Sequence, residues 1–168
     1  MANVDRPNGM KAVGKPLRVN QYTAAAAIYP GDPVKLTAAG KVDRAAASEA
    51  LCGVAVSFAA EDDAPVLVAD HPDQYFNIQA DGSQVAAQAD LLQNYNLAAT
   101  SAAFNTTYKL SRVELDASSG DSGTGSEELP LKLLGLSREV NNDFGADAKC
   151  VVRINNHQLS GGTGTEGV

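Results

Sequence analysis

Tyr75-Phe76-Asn77-Ile78-Gln79-Ala80-Asp81-Gly82 sets the reading of this chain. Apolar and polar residues alternate from position 75 to 80, and Asp81-Gly82 supplies a turn. A period of two is the signature of a strand with one buried face, because successive side chains point to opposite sides. Phe76 and Ile78 are thus expected in the core, with Tyr75, Asn77 and Gln79 pointing outward.

The same pattern recurs on both sides of this stretch. His71-Pro72-Asp73 reads as a turn with proline at its second position. Before it come Pro65 to Ala69 and, beyond the acidic Glu61-Asp62-Asp63, the run Leu51 to Phe58 with Val54, Val56 and Phe58 on one face. Leu17 to Tyr22 alternates as a half-buried strand. Ala24 to Ala27 favour a helix by propensity, yet four residues ahead of Tyr29-Pro30-Gly31-Asp32-Pro33 are too few to nucleate one. Residues 33–44 read as a hairpin. Downstream, Tyr108 to Leu115, Leu129 to Leu136 and Ala148 to Ile154 complete about eight short strands. Residues 84–93 allow two or three helical turns.

An all-β fold follows, a small barrel or sandwich-like barrel with an extended N-terminal arm and long loops. The organisation expected is an arm at 1–16, a β-domain at 17–159 and a flexible tail at 160–168. Loop 116–128, composed of Ser, Gly, Asp, Thr and Glu with one Ala after Leu115, is expected to be flexible and to hold no core residue.

The chain has 168 residues, and 44% belong to the hydrophobic set, but 28 are alanine. Leu, Ile, Val and Phe number 37, about 22% of the chain, just above the roughly 20% below which disorder sets in. The core must be thin. Nine aromatic rings and no Trp argue against a large aromatic-lined cavity. The net charge of −7 repels nucleic-acid backbones. It is also uneven: residues 1–44 carry seven Lys/Arg against three acids (+4), and residues 45–168 carry six against seventeen (−11). Opposite ends of opposite sign suit docking on a charged partner or on a second copy. No apolar leader and no membrane-length apolar run is visible, so a soluble chain is expected.

Catalytic motifs fail on context. Gly120-Asp121-Ser122-Gly123 spells a serine-protease nucleophile motif, but the chemistry needs a base beside the serine, and only His71 and His157 exist. His71-Pro72-Asp73 matches the J-domain tripeptide, yet it lies between strands rather than helices. Two distant histidines and two distant cysteines give no metal-ligand spacing. Cys52 and Cys150 sit in apolar runs, as buried free thiols do. Gly14-Lys15 lacks the upstream glycine of a phosphate loop. Asn105-Thr106-Thr107 matches a glycosylation acceptor, which has no role without a secretory signal. The chain reads as a non-enzyme without cofactor or metal.

Three further segments carry a resemblance. They are Tyr29-Pro30-Gly31-Asp32-Pro33-Val34-Lys35-Leu36, His71-Pro72-Asp73-Gln74-Tyr75-Phe76-Asn77-Ile78-Gln79-Ala80-Asp81-Gly82, and Val152-Arg153-Ile154-Asn155-Asn156-His157-Gln158-Leu159. With the opening Met1-Ala2-Asn3-Val4-Asp5-Arg6-Pro7-Asn8-Gly9, the chain resembles the capsid decoration, or cement, proteins of tailed bacteriophages. The resemblance implies a structural virion protein on the outer surface of the head, bound to the major capsid protein. It implies a homotrimer at three-fold positions, with dimers at two-fold positions as the alternative, and no nucleic acid or membrane partner. A tail, connector or host-surface module is the competing class. On the cement reading, the basic arm supplies the capsid-binding residues Arg6, Lys11, Lys15 and Arg18.

Overall fold

The computed structural model describes residues 3–82, 87–98, 104–161 and 164–167. The fold is all-β. Its strands are β1 (Lys11–Ala12), β2 (Val19–Thr23), β3 (Pro33–Leu36), β4 (Val42–Arg44), β5 (Gly53–Ala55), β6 (Pro65–Ala69) and β7 (Tyr75–Gln79). They continue with β8 (Asn94–Ala98), β9 (Phe104–Asn105), β10 (Leu110–Ser111), β11 (Glu114–Asp121), β12 (Leu131–Leu136) and β13 (Lys149–Ile154). Short strands at 11–12, 104–105 and 110–111 raise the number above the eight that periodicity marks, because two-residue pairings leave too little sequence to show a period.

The strands form two larger sheets and one hairpin, all antiparallel. One sheet runs β1-β7-β13-β12-β8-β11, the other β2-β6-β5-β3-β4, and β9 pairs β10. No sheet closes into a barrel. The two sheets share one core, a sandwich-like arrangement in which Val54 and Ala69 of the five-stranded sheet join Phe76, Ile78, Leu97, Leu115, Leu133 and Val152. The opposite face of the five-stranded sheet holds a second cluster of Ala24, Ile28, Val34, Val42, Ala55, Ala59, Val66 and Val68. Pleating explains the split along β6: Val66 and Val68 face one cluster, and Ala69 the other. Gly53 is required where β5 meets β6, since a Cβ there would lie 2.4 Å from the Ala69 carbonyl oxygen.

Several expectations hold. Residues 33–44 form the β3–β4 hairpin. Phe76 and Ile78 are buried, and Tyr75 is exposed. Cys52 and Cys150 are free and buried. Burial raises both thiols, Cys150 to about 12, which keeps them protonated. The 71–74 segment is a turn, with Gln74 N–H donating to His71 O and Asp73 N–H to His71 Nδ1.

Others need correction. The N-terminal segment is extended but not an unpacked arm. Lys11 and Ala12 pair with Asn77 and Phe76, Met10 lies in the shared core, and Asn3 bonds the Asp143 and Ala146 carbonyls. A free edge on β7 gave those residues backbone partners that no local period announces. Residues 116–121 are not a loop: they continue β11 along β8, and Ser126 is fully buried. The tail beyond 160 is likewise anchored within its described part. Thr165 O accepts from Asn94 Nδ2, Glu166 O from Lys132 Nζ, and Gly167 N–H donates to Ser126 Oγ. Buried side-chain donors recruit these carbonyls because leaving such donors unmade is costly.

Smaller departures follow the same logic. Gln79 is buried rather than outward, and Val56, expected on one face with the buried Val54, is exposed. The Leu17 to Tyr22 strand is β2, shifted to begin at Val19 and mostly exposed because it forms a sheet edge. Tyr108 to Leu115 is divided between β10 and β11. Of the helical turns expected at 84–93, the structure has a short 3-10 turn at Gln88–Asp90, and residues 83–86 lie outside the described residues. Among the described residues no helix is long and apolar enough to cross a membrane.

Candidate functional site

The four sequence-selected cations do not converge on one site. Arg6 and Lys11 share a depression of about 130 Å3 with Asn8, Asn77, Ile78, Gln79, Lys149 and the carboxylate of Glu139 on the six-stranded sheet. Extended backbone places them there: Arg6 N–H donates to Gln79 Oε1, and Lys11 stands opposite Asn77. Lys149 of β13 contacts Glu139 at 2.6 Å. No carboxylate pairs with Arg6 or Lys11 among the described residues, and both are exposed. Lys15 is exposed in the turn after β1.

Arg18 belongs to a different structure. Its Nε lies 2.7 Å from Asp70 Oδ1, and its Nη2 donates to Asp70 O. Asn20 Nδ2 and Tyr22 OH donate to Asp70 Oδ2 at 2.8 and 2.6 Å. Asp70 is fully buried, which alone would raise its carboxyl. The bonds from Tyr22, Arg18 and Asn20 outweigh that burial and hold it below the ordinary range. Arg18 therefore fastens β2 to the end of β6, a structural task that charge counting could not reveal.

A joint links the N-terminal segment to the β9–β10 hairpin. Met10 N–H donates to Gly31 O, and Ser111 N–H to Pro30 O. Gly9 sits at φ +69°, and a Cβ there would meet Ser111 Cβ at 2.5 Å and Gly31 O at 2.6 Å. Beside it, Tyr29 stacks on Phe104 with ring centroids 4.8 Å apart and packs on Phe58 at 5.4 Å. Arg44 caps Phe104 and Lys109 caps Phe58, each about 4.5 Å from the ring centroid or closer. The Tyr29-Pro30-Gly31-Asp32-Pro33 turn thus serves as an anchor, with Asp32 Oδ2 accepting from Tyr29 N–H and lying 3.0 Å from Arg44 Nε.

Sequence reading missed one polar cluster. Carboxylate oxygens of Asp5, Glu114 and Asp147 all lie within 4.8 Å of one another. Gln79 Nε2 donates to Asp5 Oδ1 and Glu114 Oε1 at 3.1 and 3.3 Å, which is why Gln79 is buried. Burial, then the charges of Asp5, Asp81 and Asp147, push the Glu114 carboxyl up to about 7. Glu114 therefore keeps its proton to higher pH than an isolated glutamate does. Its members are far apart in sequence, and no spacing signal could have found them.

Ser122 is exposed just past β11, and no hydrogen bond joins it to either histidine among the described residues. His157 is buried with Nδ1 accepting from Leu159 N–H, and burial pushes its ring down to about 4. Asn105 Oδ1 accepts from Thr107 and Tyr108 N–H, closing the hairpin turn. No protein-family model and no curated protein sequence matches the chain.

Proposed function

We propose that this chain is a structural virion protein that binds the outer surface of a tailed-phage head and stabilises the capsid lattice without catalysis. The observation that carries the reading is the placement of Arg6 and Lys11. Both are exposed cations without a carboxylate partner among the described residues, side by side on a sheet face of a chain with net charge −7. Such a pair suits an acidic surface on a repeating partner, where many weak contacts sum by avidity. The resemblance of three segments to cement proteins points to the partner, the major capsid protein. The same segments imply self-association, as a trimer or a two-fold dimer.

Because Met10 and β1 belong to the core, removing the N-terminal segment would test folding rather than binding. The appropriate variant is Arg6→Glu with Lys11→Glu, which changes charge at two exposed positions. Purified virions should contain the wild-type chain near stoichiometry with the major capsid protein by quantitative mass spectrometry. The double variant should be depleted from heads while its thermal melt is unchanged. A few copies per particle would instead assign the chain to the tail, the connector or a host-binding module.

A further inference from the structure

We propose that two copies of this chain pair through β2, edge to edge and antiparallel, extending the five-stranded sheet across a two-fold axis at Gln21. An unpaired sheet edge offers a row of backbone donors and acceptors to another chain, and proteins ordinarily blunt such edges with charge, proline or brevity. Three of the outer strands of the two larger sheets are blunted. β1 has two residues, β4 is three residues with Asp43 and Arg44, and β11 carries Glu114, Asp116 and Asp121. β2 is Val19-Asn20-Gln21-Tyr22-Thr23: five residues with no charge, no proline and no glycine.

The ladder shows which groups are available. Ala24 N–H donates to Ala64 O, and Asn20 and Tyr22 stand opposite Val68 and Val66. By the alternation of an antiparallel pair, the backbone N–H and C=O of Val19, Gln21 and Thr23 point away from β6. Among the described residues no other segment bonds them. A two-fold axis at Gln21 sets Gln21 against itself and Val19 against Thr23, forming about six backbone hydrogen bonds. Self-pairing here brings no like charges together within the strand.

Charge complementarity beyond the strand ends selects a second copy as the occupant. Lys15 and Arg18 precede β2, while Glu61, Asp62 and Asp63 form the turn beside its far end, where Asp63 N–H donates to Ala24 O. Antiparallel pairing sets the basic end of each copy beside the acidic turn of the other, twice over. Within each copy Asp62 and Asp63 already hold Lys41 at 2.6 and 2.8 Å. The acid left to meet the other copy is the exposed Glu61, which has no cation of its own among the described residues. Facing it are the exposed Lys15 and the Arg18 side chain, 44% exposed despite its bond to Asp70. The exposed Val19 and Leu67, which flank Gln21, would also join the partner's equivalents on one continuous face. An isologous contact of this kind closes as a dimer and does not generate a ring of three. It goes beyond the capsid reading and stands without it.

Sedimentation equilibrium of the purified full chain over a micromolar range tests the pairing. The wild type should be a dimer. Gln21→Pro removes only an outward-facing N–H, so it should keep the β2–β6 ladder yet weaken dimerisation at least tenfold. A second pair of variants, which leaves every backbone N–H in place, reads geometry directly. Gln21→Cys should give a covalent dimer on mild oxidation, since residues opposed in a hydrogen-bonded pair have Cα atoms about 5.5 Å apart, within disulfide reach. Val19→Cys should not cross-link to itself, and the buried Cys52 and Cys150 stay out of the reaction. A monomeric or trimeric wild type overturns the proposal, as does a folded Gln21→Pro variant with undiminished dimerisation. Equal cross-linking of the two cysteine variants overturns it too. Virion copy number is unaffected by any of these results, so this failure is distinguishable from failure of the capsid reading.

Discussion

The two apolar clusters of this molecule are built from different materials. The shared core holds large side chains that are almost wholly buried, among them Tyr95, Phe76, Met10, Leu97, Leu115 and Leu131. The second cluster, on the far face of the five-stranded sheet, is three alanines, four valines and Ile28. A chain with 28 alanines and only 37 Leu, Ile, Val and Phe cannot fill both faces with bulk. It concentrates volume where two sheets meet, and fills the other face mainly with small and β-branched side chains, with Tyr22 and Leu36 partly buried against them. Stability in the first region therefore rests on buried area, and in the second on the absence of spare room.

Truncation should separate the two regions most strongly. Phe76→Ala removes a fully buried ring from the shared core and should cost about 3–5 kcal/mol, a large part of an ordinary domain's stability. Met10→Ala should cost about 2–5 kcal/mol if the N-terminal segment contributes to the same core, as its burial indicates. Urea denaturation reads both. A Met10→Ala midpoint equal to that of the wild type would return residues 3–12 to the status of a loose arm.

Enlargement should reverse the contrast. Ala55→Leu forces three extra carbons into the second cluster, where Ala24, Ala59 and Val68 already leave Ala55 about 1% exposed. Overpacking of this kind should cost about 1–3 kcal/mol. A neutral result would show spare volume there and remove the distinction between the clusters.

The smallest effect concerns the carboxylate group at the rim of the shared core. Glu114 has its carboxyl raised from 4.5 to about 7, so between those values the folded chain holds a proton that the unfolded chain has lost. Stability from this group consequently falls as pH rises through that window, and the loss is complete above about 7. His157, lowered from 6.5 to about 4, acts in the opposite sense: its contribution is lost as pH falls from 6.5 through 4. Comparing Glu114→Gln with the wild type cancels the histidine. The variant should be more stable at pH 8, by about 1 kcal/mol after allowing for solvent screening, and by nothing at pH 4. Melting curves at the two pH values check this. An equal shift at both would assign the effect to packing rather than to charge.

Local sequence determined much of this protein. Alternation at 75–78, the punctuated run 33–44, the turn at 71–74 and the apolar settings of Cys52 and Cys150 depend on neighbours within a few residues, and each has its expected form. Tertiary structure alone decided the rest. β11 is a strand although Ser118, Ser119 and Gly120 have no strand preference, because β8 presents an edge to it. Gln79 breaks its own alternation because Arg6 and the Asp5–Glu114 pair arrive to satisfy its amide. Met10 enters the core, and Thr165 to Gly167 dock, through partners more than forty residues away in most cases. Arg6 and Lys11 stay free on a surface while Arg18, equally basic in sequence, is taken by a buried carboxylate fifty-two residues on. A side-chain period is written in consecutive residues, whereas the partner that satisfies a backbone edge, a buried amide or a charge is chosen by the fold as a whole.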